Sequence, residues 1–266
     1  MLTTLALYLV VGAFAGILAG LLGVGGGLII VPILNFTLSL QGMDADLIQH
    51  MALGTSLASI MFTSISSFRA HHARGAVLWS SVVFMVTPGI ITGTLFGSWV
   101  AAGLSAFFLK AFFVCFLYYV AAQMLMNLKA KPSRELPAKA GMFGVGNLIG
   151  IVSSLVGIGG GTLSVPFMTW CNVPMHKAIG TSAAIGFPIA VAGTIGYILN
   201  GLSVPELPEY SLGYVYLPGL FGIACASMLT APLGVKLAHS LPVPKLKRVF
   251  AVLLLVMGTR MLLSLL

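Results

Sequence analysis

Two glycine runs are the part of this sequence best suited to bind a ligand. They are Gly23-Val-Gly-Gly-Gly27 and Gly157-Ile-Gly-Gly-Gly161, and each interrupts a long apolar segment. Successive glycines break a helix, because they gain much conformational freedom when it is lost. A helix that restarts after the break presents free N–H groups and the positive end of its dipole, which favour an anion. The pattern predicts an anion site formed by Gly25, Gly26, Gly27, Gly159, Gly160 and Gly161. The alternative is that these glycines only permit close helix packing.

A Gly-Thr-Ser motif comes after each glycine run, at Gly54-Thr55-Ser56 and Gly180-Thr181-Ser182. We place each motif at the start of an apolar helix. Hydroxyl groups there either cap free N–H groups, which is their commoner role, or bind the oxygen atoms of an anion. We therefore add Thr55, Ser56, Thr181 and Ser182 to the predicted substrate site.

Histidine supplies the titratable candidates. His50 and His176 each stand shortly before a Gly-Thr-Ser motif, where they would sense pH, move a proton or simply be solvated in a loop. His71 and His72 lie between two arginines and are expected in a basic loop. No histidine has the spacing of a zinc site, so neither a metal nor a cofactor is predicted.

The acidic residues are informative by their position. All five lie outside the apolar runs, so a cation would find no carboxylate to bind within the membrane. A neutral site rich in hydrogen-bond donors suits a small anion better. The sequence also has no acid pair, no metalloprotease-type His-Glu-x-x-His motif, no Cys/His cluster and no ATPase motif. These observations argue against an enzyme and against direct use of ATP.

The composition is that of a membrane protein. Hydrophobic residues make up 59% of the 266 residues and charged residues only 7%, whereas soluble domains carry roughly 25% charged residues. Apolar runs near the membrane-spanning length recur along the chain. The net charge of +8 comes from short loops between these runs, which is typical of cytoplasmic loops rather than of a nucleic-acid-binding surface. We predict an all-α polytopic membrane protein that contacts the lipid bilayer and no nucleic acid; a homo-oligomer is left open.

The motifs recur in order, which predicts two internal repeats. The first repeat covers residues 1–130, a cytoplasmic linker covers 131–139, and the second repeat covers 140–266. Each repeat is expected to contain a glycine-broken first helix and then three transmembrane helices. The spacings Gly12-x-x-x-Gly16-x-x-x-Gly20 and Gly93-x-x-x-Gly97 predict closely packed helix faces.

The charge of the loops favours an inverted arrangement of the two repeats. If each broken segment turns back as a re-entrant hairpin, every basic loop falls on one side and both termini lie outside. If each broken segment crosses the membrane, there are eight spans, and the basic stretch 236–248 lies opposite the basic linker. The run from Thr3 to Leu22 is by itself long enough to cross. The inverted arrangement is preferred, and the crossing alternative stays open.

The doubled motif Gly-x-Gly-Gly-Gly-x-x-x-Val-Pro, at residues 23–32 and 157–166, resembles the TauE/SafE family when taken with the two Gly-Thr-Ser motifs. The family comprises sulfite and organosulfonate exporters and related permeases. The resemblance covers nearly the whole chain and implies a secondary transporter in a bacterial-type inner membrane. The first motif continues with Leu28-Ile-Ile and the second with Thr162-Leu-Ser, so the second part of the site is more polar.

The leading hypothesis is a secondary transporter that exports a small sulfur-containing oxyanion by alternating access. The two glycine breaks would meet near the middle of the membrane and hold the anion. Uptake of a related anion and a non-transport role in membrane assembly are the alternatives.

Overall fold

The computed structural model describes residues 2–126, 134–205, 207–240 and 243–265. The described residues form ten α-helices, one π-helix and one short β-hairpin. The helices are α1 (Leu2–Leu22), α2 (Gly27–Leu40), α3 (Ala45–His72), α4 (Phe84–Ala102), α5 (Ala106–Leu125), α6 (Lys139–Val156), α7 (Gly161–Trp170), α8 (Met175–Gly201), α9 (Leu217–Ser240) and α10 (Val243–Leu263), with the π-helix at Trp79–Val83 and the strands β1 (Ser211–Leu212) and β2 (Val215–Tyr216).

Seven of these helices are long and apolar enough to cross a membrane. They are α1, α3, α4, α5, α6, α8 and α9. Large apolar side chains such as Trp99, Phe107 and Leu229 are exposed on the outer surface, as expected of a surface that meets lipid. The prediction of an all-α polytopic membrane protein is therefore confirmed.

Each glycine run breaks its helix, as the sequence predicted, and the chain reverses its direction there. α1 ends at Leu22 and α2 begins at Gly27. The Tyr8 hydroxyl near the beginning of α1 lies 3.1 Å from the Thr37 hydroxyl near the end of α2, so the two helices run antiparallel. The second break behaves alike: the Trp170 carbonyl at the end of α7 accepts the N–H of Arg134, just before α6. We call these units the first hairpin (α1 and α2) and the second hairpin (α6 and α7).

The hairpins pack on helices from the other half of the chain. α1 lies against α9 and α6 lies against α4, and these are the two largest helix contacts. A Cβ atom on Gly12, Gly16 or Gly20 would overlap backbone atoms of α9 at Ile223, Ser227 or Ala231. Gly93 and Gly97 meet α6 in the same way. Close packing at both glycine spacings is therefore confirmed.

The loops at the two ends of the bundle differ in charge, although Arg260 lies over the Phe36 ring near the acidic end of α2. We define the acidic end by Asp44, Asp46 and Glu209 and the basic end by Arg69, Arg74 and Arg134. At the acidic end, Nε2 of His50 lies 3.1 Å from the Ala101 carbonyl oxygen, which joins the beginning of α3 to the end of α4. At the basic end, the N–H of Leu78 before α4 donates to the Thr181 hydroxyl near the beginning of α8, at 3.0 Å.

Several boundaries and elements differ from the sequence expectation. α3 begins at Ala45 because the Asp44 side chain accepts the Asp46 N–H at 2.9 Å and caps it. The π-helix and the β-hairpin were not anticipated, since five residues and two residue pairs leave little periodic signal. Of the predicted linker 131–139, residues 131–133 lie outside the described residues. The remainder leads into α6, which begins at Lys139.

Candidate functional site: the meeting point of two glycine breaks

The two glycine breaks touch each other inside the bundle. A Cβ atom built on Gly25 would lie 3.2 Å from the Cα atom of Gly159. One on Gly27 would overlap the Gly157 carbonyl oxygen, and one on Gly161 would overlap the Gly23 carbonyl oxygen. Only glycine permits this approach of one backbone to the other. The sequence-predicted residues of the two breaks are thus brought together by the fold.

The first turns of α2 and α7 converge at this meeting point. Gly26 precedes α2 with φ 83° and Gly160 precedes α7 with φ 74°, a left-handed conformation that favours glycine. No side chain of the described residues caps either helix. The first N–H groups of a helix have no intrahelical acceptor, and its dipole places partial positive charge there. Because α2 runs toward the acidic end and α7 toward the basic end, both positive ends face the junction.

A small cavity adjoins the junction. It is lined by glycines and alanines of both breaks and of α1 and α8 together with two serines of α3, namely Ala19, Gly23, Gly25, Ser64, Ser67, Gly159, Ala183 and Gly186. Its volume of about 10 Å³ is about the space that one water molecule needs. A sulfite-sized anion does not fit in it.

The two serines of the Gly-Thr-Ser motifs each form a hydrogen bond with the glycine run in the other half of the chain. The Ser56 hydroxyl donates to the Gly157 carbonyl at 2.7 Å, and the Ser182 hydroxyl donates to the Gly23 carbonyl at 3.1 Å. Ser182 also donates to Ile179 in its own helix at 2.9 Å. Both serines are fully buried. In this arrangement their hydroxyl protons are used by the protein itself.

The two threonines of these motifs make a matching pair of contacts. Thr55 accepts the N–H of Tyr216 at 2.9 Å, and Thr181 accepts the N–H of Leu78 at 3.0 Å. Each bond therefore crosses between the halves. The expectation that these motifs begin their helices is wrong, because α3 begins at Ala45 and α8 at Met175. The polar first turns of α3 and α8 carry little apolar signal, so the helix starts were placed too late.

The histidines occupy different environments from one another. His176 is exposed in the first turn of α8. His50 is buried, with Nδ1 3.3 Å from the Asp46 carbonyl oxygen and its ring stacked on Tyr214 at 5.0 Å, so a solvated loop is wrong for His50. The loop expected at His71 and His72 is also wrong, because α3 continues through both residues. Nε2 of His71 lies 3.0 Å from the Gly20 carbonyl oxygen of α1.

Sequence analysis missed Ser64 and Ser67, the only hydroxyl-bearing residues among the described residues that line the cavity. A signal for Ser67 existed. Ser56, Ser59, Thr63 and Ser67 succeed each other at spacings of three and four residues along α3, which places hydroxyl groups along one side of a helix. Within the described ranges, no group of three or more His, Cys, Asp or Glu side chains is placed to hold a metal ion.

The family comparison bears directly on this architecture. The sequence profile of the family described as sulfite exporter TauE/SafE matches residues 8–261. The chain belongs to the TauE/SafE family. The match begins within α1 and includes the glycine junction, the second hairpin and the Gly-Thr-Ser motifs, so the site described above lies within the TauE/SafE part of the chain. None of the solved structures matches this chain.

Curated relatives agree with this assignment. A probable membrane transporter protein of Haemophilus influenzae is 38% identical over 266 residues, covering 99% of this chain and 100% of the relative. One of Methanocaldococcus jannaschii is 28% identical over 263 residues, covering 98% and 97%. The probable membrane transporter protein YunE of Bacillus subtilis is 28% identical over 214 residues, covering 72% and 77%. This TauE/SafE protein is accordingly a multi-pass membrane transporter.

Proposed function

We propose that this protein is a secondary transporter that exports a small sulfur-containing oxyanion, sulfite or an organosulfonate, across the inner membrane by alternating access. The observation that carries the proposal is the convergence of the α2 and α7 N-termini at the glycine junction, beside a small cavity that Gly25 and Gly159 help to line. Broken helices whose N-termini meet between two halves are the arrangement by which transporters bind anionic groups. The description of the family as sulfite exporter TauE/SafE supports the sulfur oxyanion.

The proposal includes two inverted repeats with the basic end in the cytoplasm. The exchanged contacts support it, because each half supplies a serine to the other half's break and a hairpin to the other half's later helices. The first hairpin opens toward the acidic end and the second toward the basic end, as expected of opposite orientations. Lys and Arg residues favour the cytoplasmic side of a membrane.

Alternating access at this cavity requires the two halves of the chain to move relative to each other. The cavity has no room for the anion in the present arrangement, so binding requires the halves to separate at one end. In alternating access, one half rocks against the other around a fixed site. The free N–H groups at the two breaks then bind the anion without any intramembrane cation.

Efflux from proteoliposomes tests this function. Vesicles loaded with sulfite, taurine-like sulfonates or chloride are diluted, and release is followed with time. We expect saturable release of a sulfur oxyanion and no release of chloride above that of empty vesicles. Measuring uptake in the same vesicles establishes whether transport also runs inward. Release no faster than in protein-free vesicles for every sulfur anion would remove the proposed substrate class.

The matched variant for this assay is Gly186→Ala. The new Cβ atom would lie 3.2 Å from the Gly159 carbonyl oxygen and 3.8 Å from the Ser64 Cβ atom, so it fills the cavity with only a small adjustment. Alanine also favours a helix more than glycine by about 1 kcal/mol. We expect a folded protein whose sulfite release is at least about tenfold slower, which is about 1.4 kcal/mol in activation free energy.

A further inference from the structure

One face of α3 carries a row of four buried side chains beside the glycine junction. They are Ile60, Ser64, Ser67 and His71, at spacings of four, three and four residues. Residues spaced in this way lie above one another on a helix. The row runs from the middle of the bundle toward the basic end. We call it the α3 row.

Ser67 is the polar group of the α3 row that the fold leaves unused. It lines the cavity, it is only 2% exposed, and its hydroxyl has no hydrogen-bond partner among the described residues. The Ser64 hydroxyl, by contrast, donates to the Met61 carbonyl at 3.1 Å. A buried hydroxyl without a partner is destabilising, and an anion oxygen in the cavity would accept its proton.

The other two members of the α3 row flank the two cavity-lining serines along the helix. The Ile60 Cγ2 atom lies 3.1 Å and 3.3 Å from the positions that Cβ atoms on Gly25 and Gly159 would take, so it covers both glycines. His71 is hydrogen-bonded to the Gly20 carbonyl oxygen of α1. Ile60 therefore lies between the cavity and the acidic end, and His71 lies between the cavity and the basic end.

α8 does not offer an equivalent row. When His50 is aligned with His176, Ser64 corresponds to Ala190 and Ser67 to Gly193. The space beside Gly193 is taken by Leu57, whose Cδ1 atom lies 2.7 Å from where a Cβ atom would be. α8 contributes only Ala183 and Gly186 to the cavity. Among the described residues, the hydroxyl groups that line the cavity thus come from α3 alone.

We propose that the α3 row forms the wall of the path along which the anion moves. The Ser67 hydroxyl is the side-chain group that donates a hydrogen bond to the anion. The identity of the anion rests on the function proposed above. The location of the path does not. The oxyanion lies on the basic-end side of the Gly25–Gly159 contact, held by backbone N–H groups and the Ser67 hydroxyl. Access from the basic end requires the His71–Gly20 contact to open, and access from the acidic end requires Ile60 to move.

Binding to Ser67→Ala is the first test, with Ser59→Ala as the matched control. Ser59 is on the same helix and equally buried, but its hydroxyl donates to the Thr55 carbonyl at 2.8 Å and does not line the cavity. Stabilisation of each purified protein against heat is titrated with sodium sulfite, sodium methanesulfonate and sodium chloride. We expect Ser67→Ala to weaken sulfite binding at least about tenfold, and Ser59→Ala to change it less than about twofold.

Cysteine labelling is the second test and needs no substrate. Ser67→Cys and Ser59→Cys are placed in a protein whose three native cysteines are replaced by alanine, reconstituted, and treated with iodoacetate. We expect Ser67→Cys to react at least about tenfold faster than Ser59→Cys, because only the first lines a space that opens to water. Equal rates at the two positions would overturn the path along the α3 row.

The two tests separate the two proposals. If the wild-type protein binds sulfite and Ser67→Ala binds it equally well, the inference about Ser67 is wrong and the proposed function stands. If the wild-type protein binds no sulfur anion but Ser67→Cys reacts faster than Ser59→Cys, the substrate class is wrong and the path stands.

Discussion

The two glycine hairpins share a backbone design but differ in the residues directly after the glycines. In the first hairpin, Leu28, Ile29 and Ile30 continue α2, and all three are buried apolar residues. In the second, Thr162 and Ser164 continue α7, and neither hydroxyl has a hydrogen-bond partner among the described residues. The glycines are needed for the close contact, whereas the residues after them are free to differ. Among the described residues, the second hairpin therefore carries buried hydroxyl groups, those of Thr162 and Ser164, that form no hydrogen bond within the fold.

The far ends of the hairpins differ as well. After α2, Gln41 accepts a hydrogen bond from the Tyr216 hydroxyl at 3.0 Å and donates to the Tyr8 hydroxyl at 3.2 Å. Burial, and secondarily the neighbouring Tyr8, raises the pKa of the Tyr216 phenol, so it stays protonated and donates. After α7, Arg134 lies over the Trp170 ring at 4.8 Å. A partly buried network of side-chain hydrogen bonds thus holds the first hairpin. The second is supported by hydrogen bonds to the Arg134 backbone and by the cation–π contact at the surface.

The largest effect is expected where each hairpin touches the other break. A Cβ atom at Gly161 would meet three backbone atoms of Gly23 and Val24, whereas at Gly27 it would meet one carbonyl oxygen closely. We expect Gly161→Ala to lower the free energy of unfolding by about 3 kcal/mol and Gly27→Ala by less. Thermal unfolding in detergent measures both. Gly144→Ala in α6, where the new Cβ atom meets nothing within 4 Å, is the control. Tolerance of Gly161→Ala would contradict the close junction.

The serine bonds to the two breaks provide the next comparison. Ser56 makes one short bond, to Gly157, while Ser182 divides its proton between Gly23 and Ile179. We expect Ser56→Ala to destabilise by about 2 kcal/mol and Ser182→Ala by about 1 kcal/mol, since each leaves a buried carbonyl oxygen unpaired. Chemical or thermal denaturation of both variants tests this order. A larger loss at Ser182 would show that the second half contributes more to the junction.

Smaller effects should distinguish the two hairpin ends. Gln41→Ala removes the partner of both Tyr8 and Tyr216, and we expect a loss of about 1 kcal/mol. Arg134→Ala removes only an exposed cation–π contact, and we expect about 0.5 kcal/mol. Both values come from thermal midpoints compared with the wild type. A larger loss of stability in Arg134→Ala than in Gln41→Ala would contradict the expected difference between the two hairpin ends.

The smallest effect, with the opposite sign, is expected at Thr162. Valine has the shape of threonine without its hydroxyl, and the Thr162 hydroxyl is buried without a partner in the described part of the chain. We expect Thr162→Val to leave stability unchanged or raise it by up to about 1 kcal/mol. Destabilisation by more than about 1 kcal/mol would indicate that a bound water or ion uses this hydroxyl.

Local signals in the sequence were enough to predict the helical membrane class and the positions of both helix breaks. Glycine runs and apolar periodicity act over a few residues, so Gly23 to Gly27 and Gly157 to Gly161 could be placed without a structure. Helix starts were less accessible, because the capping side chain of Asp44 lies outside the apolar run.

The contacts made by the site residues could not be predicted in the same way. Ser56 bonds to Gly157 and Ser182 to Gly23, partners that are far apart in the chain. Nothing near Ser56 in the sequence specifies such a partner. Ser67 has no motif, and only the three-dimensional position of α3 beside the two breaks shows that it lines the cavity.

The exchange of hairpins between the halves has a consequence for how the protein is made. α1 rests on α9, which comes after it in the chain by roughly 200 residues. At a synthesis rate of about 5–20 residues per second, α1 waits about 10–40 s for its packing partner. During that time its glycine-rich face lies open in the lipid or against the insertion machinery. The nascent chain thus acquires its final interior only when translation is nearly finished, and a prematurely truncated product leaves α1 without its main support.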